Sequence, residues 1–265
     1  TVAEIYGVEP KFLTNEEATV FAAQLKQGDR ISRMTVLGTL TKFFQKDAPD
    51  VLAQIAVKQP ELAHIGGLVT LGLMDTANQA LEGMDLIKEG NQPVGFTREV
   101  TDSVFANQVG MAFNYQSEAR GSAQKTAKAI YTSMAMDRGL EVFDENLYIS
   151  AISLAVGYNP NTGKGGVQEV RDMPVIAPPE LDGEDLEKIL DEIDYESLTV
   201  NTGQVVNADQ MRDIRGNKNI RFMVMDHGRY YITLLKPGQD GFRYISDVDG
   251  DPVIFDALKY YGYRE

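Results

Sequence analysis

The feature that most constrains the fold is a change of hydrophobic period along the chain. Up to residue 157 apolar residues recur at i, i+3, i+4 and i+7, the spacing that lays a stripe along one side of a helix. Beyond residue 200 the period is two, as in strands with one face inward. Ala18, Phe21, Ala22 and Leu25 fall on one helical face behind Thr14 and Glu17, whose spacing is that of a capping box, and Gly28 follows as a stop. Met34, Leu37, Leu40 and Phe44 mark a second helix. Pro49 and Pro60 each suit the first turn of a further helix. Asp75 is expected to cap a helix burying Ala77, Leu81, Met84 and Ile87, with Gly90 ending it. A segment from Thr97 runs through Val100, Val104 and Met111.

Residues 117–138 carry the cleanest periodicity, with Ala123, Ala127, Ile130 and Met134 on one face and Gly139 as the stop. A helix from Asp144 buries Leu147, Ala151 and Leu154 and closes at Gly157. The run Tyr158 to Gly166 is loop chemistry. Val167–Val170 and Val175–Ile176 can pair across Arg171-Asp172 as a small hairpin, and an acidic helix capped by Asp182 turns Leu186, Ile189, Leu190 and Ile193 inward. Ile220, Phe222 and Val224 alternate with Arg221, Met223 and Met225, and the alternation resumes at Tyr230, Ile232 and Leu234. That is a hairpin with Gly228 left-handed in its turn. Phe242 with Tyr244, and Val253 with Phe255, add short strands around a turn at Asp247–Asp251.

The expected fold is therefore mainly α with a small C-terminal antiparallel β module, α+β overall. An irregular bundle of about seven or eight helices is followed by hairpins. The expected division is a helical domain over residues 1–157, a linker with a small hairpin over 158–182, and the acidic helix plus β module over 183–265.

Composition narrows the function. The net charge is −14, and an acidic surface repels phosphate backbones and anionic lipid, so direct nucleic-acid binding and membrane insertion are not expected. Apolar runs stop short of the roughly 18 residues a membrane span needs. The chain has no cysteine, which removes disulfides and thiol chemistry. It starts at Thr1, which reads as a processed product or part of a longer polypeptide.

No catalytic, cofactor or metal constellation emerges, and the expectation is a non-enzyme. Asp247-Val248-Asp249-Gly250-Asp251 resembles the opening of a calcium loop, but Pro252 and Leu258 stand where that loop needs glycine and glutamate; it reads as a turn. Gly163-Lys164 lacks the spacing and the Ser or Thr of a phosphate loop. His64 reads as a partly buried packing residue and His227 as an exposed turn residue. Gly72-Leu73-Met74, with Glu61 upstream, is the fragment that brings a lytic transglycosylase to mind. Asp75 and Leu62 break that pattern, and the fragment reads as a helix junction. Tyr260, Tyr261 and Tyr263 are hard to bury together and are the candidate contact with another chain.

Gly139-Leu140-Glu141-Val142-Phe143-Asp144-Glu145-Asn146-Leu147-Tyr148 resembles a recurrent segment of virion-associated proteins of tailed bacteriophages. The resemblance continues through Gly165-Gly166-Val167, Pro174, Pro178-Pro179, the helix Asp182 to Ile193, and the hairpin Arg221 to Leu235 with Gly228-Arg229-Tyr230. It covers roughly residues 98–265. It implies a structural role in an internal, ejection or tail assembly, with partners among other virion proteins or copies of itself. The implied location is the virion, and the host cytoplasm during assembly. A peptidoglycan hydrolase of the lytic-transglycosylase kind, or its inactive relative, is the alternative.

Overall fold

The computed structural model describes residues 11–113, 116–200, 203–205, 219–226, 228–235 and 242–263. It is mainly helical, with an antiparallel sheet toward the C-terminus. The helices are α1 (Asn15–Gln27), α2 (Arg30–Phe44), α3 (Ala48–Ala56), α4 (Pro60–Thr70), α5 (Met74–Lys88), α6 (Arg98–Val109), α7 (Ser117–Asp137) and α8 (Glu145–Ala155). After β1 (Gly166–Val170) and β2 (Met173–Ala177) comes α9 (Gly183–Glu192). Then follow β3 (Leu198–Val200), β4 (Ile220–Asp226), β5 (Arg229–Leu235), β6 (Phe242–Tyr244), β7 (Val253–Asp256) and α10 (Ala257–Tyr260).

Two compact units result: residues 1–102 with 118–155, and residues 103–117 with 156–265. The division falls inside α6, so a stretch within the helical part of the chain belongs with the sheet.

The helix boundaries follow local chemistry. Thr14 and Glu17 form the capping box of α1, and Asp144 accepts from Leu147 N at 3.1 Å to open α8. Gly72, Gly90 and Gly139 all have positive φ. Each closes its helix with the paired bonds of a Schellman motif, such as Leu140 N to Ala135 O at 2.9 Å. That makes Gly72–Met74 a helix junction. Asp75 is not an N-cap: Leu73 holds that position and Asp75 lies in the first turn of α5. The Schellman turn at Gly72 feeds straight into the next helix, leaving no room for a separate cap before it.

In the helical unit α7 is extensively buried. Its Ala123, Ala127, Ala129, Ile130, Tyr131, Thr132, Ser133 and Ala135 are all buried. Small side chains let a neighbour come close: a Cβ on Gly83 of α5 would sit 1.7 Å from the Ala129 carbonyl oxygen. The three methionines expected in the core, Met34, Met84 and Met134, are only half-buried. Phe96, Tyr131, Phe143 and Tyr148 form one aromatic cluster, with Phe96 stacked on Tyr131 at 4.7 Å. It is pinned where Val94 N donates to Glu141 O and Phe143 N to Val94 O, at 2.7 and 2.9 Å.

In the other unit, β1 and β2 pair across Arg171-Asp172. Both turn residues have positive φ, the left-handed pair a two-residue hairpin turn demands. The larger sheet runs β3-β7-β5-β4, with β6 beside β5 and all pairings antiparallel. Ile220, Phe222, Val224, Tyr230, Ile232, Val253 and Phe255 form one core with Leu186, Ile189 and Leu190 of α9. Gly228 has φ +73 and a register shift lies between Val224 and Asp226, as a bulged turn requires. His227 lies outside the described residues. Within Tyr158–Gly166, Asn159 and Lys164 bridge, Asn159 N donating to Lys164 O at 2.8 Å.

Candidate interaction surface at the C-terminal tyrosines

The three tyrosines are brought together by one short helix and its stop. Asp256 caps α10 by accepting from Lys259 N at 2.9 Å. Gly262, at φ +75, then reverses the chain. Gly262 N donates to Lys259 O and Tyr263 N to Leu258 O, at 3.0 and 2.8 Å, completing a Schellman turn. Only a residue tolerating that φ fits, so Gly262 decides where Tyr263 points.

Tyr261 faces inward. It packs on the sheet core, and its hydroxyl donates to the Asp185 carbonyl of α9 at 3.1 Å. Burial, then the negative charges of Asp185 and Glu192, push its ionisation above the ordinary value, so it stays a neutral donor. Tyr260 stands edge-on to it at 5.5 Å and also touches Phe255 at 5.5 Å. Tyr260 is 37% exposed and Tyr263 60%. One tyrosine thus anchors the turn and two present their rings outward. Asp185 is itself fixed. It closes the capping box with Asp182 and accepts from Lys164 Nζ at 2.7 Å.

The remaining sequence candidates are placed as follows. Lys164 is committed to Asp182 and Asp185, which suits a packed loop rather than a phosphate cradle. Asp247 accepts from the amides of Asp249 and Asp251 through one carboxylate oxygen, both at 2.9 Å, so the acidic run is a self-bonded turn. Among the described residues no cluster of three or more His, Asp or Glu is placed to hold a metal, and no helix is long and apolar enough to cross a membrane.

His64 is half-buried, and its Nε2 lies 2.9 Å from the carbonyl of Ala155, the last residue of α8. Burial pulls the imidazole below its ordinary value against the opposing effect of that bond, keeping the ring neutral near pH 7. Glu61 pairs with Lys125. Partial burial alone would raise its carboxyl, but the Lys125 hydrogen bond, its own backbone and the Lys125 charge outweigh this and hold it ionised. A carboxyl that protonates a glycosidic oxygen needs the opposite shift.

The spacing of the chain gave no sign of Gln116, whose Nε2 donates to Val224 O at 2.9 Å. Nor did it mark Arg171, whose amide and guanidinium reach Glu187 and Asp191 at 2.9 and 2.6 Å. No family model matches the chain, and comparison with curated proteins and with solved structures returns no match.

Proposed function

We propose that this chain is a non-enzymatic assembly module of a tailed-phage particle, acting in the virion or its DNA-delivery apparatus through protein–protein contacts. The observation that carries the reading is the exposure of Tyr260 and Tyr263 on a turn already held rigid by Gly262 and by the Tyr261–Asp185 bond. A backbone turn held before binding loses little conformational entropy on docking, and tyrosine is enriched at interfaces. The resemblance of residues 98–265 to virion-associated proteins supplies the context: a second copy of the chain or another virion protein is the partner. The lysine pairing of Glu61 weighs against the hydrolase alternative.

Light scattering of the chain alone, and mixed with the other proteins of the particle it comes from, tests the proposal. The expected result is a mass above the monomer in at least one mixture, reduced in a Tyr260→Ser/Tyr263→Ser variant. A monomer in every mixture contradicts it.

A further inference from the structure

The chain is acidic overall, yet residues 11–58 hold seven Lys and Arg against five Asp and Glu. Phe43, in the last turn of α2, lies in that stretch. At 77% it is the most exposed aromatic side chain among the described residues. Phe43 stands edge-on to Phe44 at 5.0 Å, and Phe44 edge-on to Phe12 at 6.2 Å, so two half-buried rings back it. Gln45 follows with φ 49 and ψ −114, outside the regions a non-glycine residue prefers. Backbone of that kind costs about 1–3 kcal/mol and persists where the surroundings hold it, commonly at functional sites. Here the Gln45 amide is held by the Thr41 carbonyl, which ends α2 with Phe44 packed and Phe43 outward.

Lys42 and Lys46 flank Phe43 in the chain, and Lys11 adjoins Phe12. All three lysines are exposed, and none forms an ion pair among the described residues. Asp47 and Asp50, the acids that follow, sit at the N-terminal end of α3, where the helix dipole favours them.

The tyrosine turn has the opposite charge beside it. Tyr261 bonds the Asp185 carbonyl at 3.1 Å, and the Glu192 carboxylate is close enough to raise its ionisation. Glu184, Glu187, Asp191 and Glu192 of α9 are exposed, and Lys188 is that helix's one base. Arg171 takes up Glu187 and Asp191, which leaves Glu184 and Glu192 to the solvent. An exposed ring between lysines is thus matched by two exposed rings beside glutamates.

We propose that the Phe43 corner of one copy is the seat for the tyrosine turn of another. Tyr260 and Tyr263 pack on Phe43, while Glu184 and Glu192 meet Lys42 and Lys46. Opposite charges steer the encounter and fix its register, and the rings supply the apolar centre. This names the partner of the tyrosine turn and rests on that turn being a contact.

Sedimentation equilibrium of the full chain over a range of concentrations tests the pairing. The unmodified chain should self-associate, and more weakly at high salt. Lys42→Glu/Lys46→Glu, Glu184→Lys/Glu192→Lys and Phe43→Ser should each weaken association about tenfold. Circular dichroism checks that these surface variants keep their helix content; should a charge-reversed chain lose it, Phe43→Ser decides. The decisive arm mixes the two charge-reversed chains in equal amounts: each carries the complement of the other, so association should return. The proposal is overturned if the unmodified chain is monomeric throughout, or if the mixture associates no better than its parts. If Tyr260→Ser/Tyr263→Ser abolishes association and Lys42→Glu/Lys46→Glu leaves it intact, the tyrosine contact stands and this seat is wrong. If the lysine variant weakens association and the tyrosine variant does not, the contact and the pairing both fail. A monomeric chain that floats with phosphatidylserine vesicles, and loses this in Lys42→Glu/Lys46→Glu, would give the corner to an anionic lipid surface and overturn the pairing.

Discussion

The helical unit and the sheet unit are held together by different means. In the first, cohesion comes from close approach of small residues: Ala123, Ala127 and Ala129 of α7 are fully buried, and Gly83 meets the α7 backbone itself. Its polar ties link helix to helix through side chains. Glu82 joins Arg30 and Ser133, each at 2.9 Å, and Asp85 joins Arg33 at 2.8 Å. In the sheet unit the core is mostly Val, Leu and Ile around Phe222, Tyr230 and Phe255. Beside side-chain pairs such as Lys164–Asp185 and Arg171–Asp191, the unit has ties from a side chain to a distant backbone carbonyl: Tyr230 to Ile176, Tyr261 to Asp185, and Gln116 to Val224. A close approach such as that of Gly83 tolerates no added volume, whereas a long-range hydrogen bond such as Tyr230 to Ile176 is sensitive to the loss of a single polar atom.

That contrast is sharpest at Gly83. Among the described glycines Gly83→Ala should be the most damaging, because the new methyl would drive α5 off α7; a loss of about 3 kcal/mol or more is expected. Urea denaturation measures it, and a loss below about 1 kcal/mol would show that the helices can part cheaply. In the sheet unit the matching change removes an atom instead. Tyr230→Phe leaves the half-buried Ile176 carbonyl without its 2.8 Å donor, at a cost of about 1 kcal/mol. An unchanged denaturation midpoint would mean that the bond is replaced by another.

Smaller effects of opposite sign are expected where the same residue types have no such duty. Gly67 sits inside α4 with nothing within 4 Å of an added Cβ, so Gly67→Ala should stabilise by about 0.5–1 kcal/mol through helix propensity. Asp172→Gly should relieve the positive φ of the β1–β2 turn and stabilise by a similar amount, about 0.5–1 kcal/mol. A fall in thermal midpoint for either would contradict this reading of its site.

The smallest effect is a pH slope in the helical unit. The folded His64 lies below its ordinary 6.5, so its contribution is complete above that pH and is lost as pH falls from 6.5 through the folded value. Stability curves of the chain and of His64→Gln should therefore diverge only on the acid side of 6.5. Divergence at higher pH would invert the assignment.

The same contrast explains what the chain's residues reveal unaided. Capping boxes, Schellman glycines and the two positive-φ residues of the β1–β2 turn act within a few positions, so Thr14, Gly139, Asp182 and Gly228 are legible one at a time. The mainly-α body with its antiparallel end follows from them. What is not legible depends on long-range choices. Residues 103–117 join the sheet unit although their periodicity is helical. Strand β7 enters between β3 and β5 although it comes last, and β3 itself spans only three residues. At the candidate surface Tyr260, Tyr261 and Tyr263 could be singled out from composition, but their division into one anchor and two exposed rings rests on Gly262 and on a bond to Asp185. Those partners are 76 residues apart.

The central claim is that Tyr260 and Tyr263 are contact residues. Tyrosine-selective chemical labelling of the full chain, free and in its assembled state, tests it most directly. In the free chain Tyr260 and Tyr263 should label readily while buried Tyr131, Tyr148 and Tyr230 do not. On assembly the first two should become protected and the buried three stay unchanged. Equal labelling of Tyr260 and Tyr263 in both states would contradict the account.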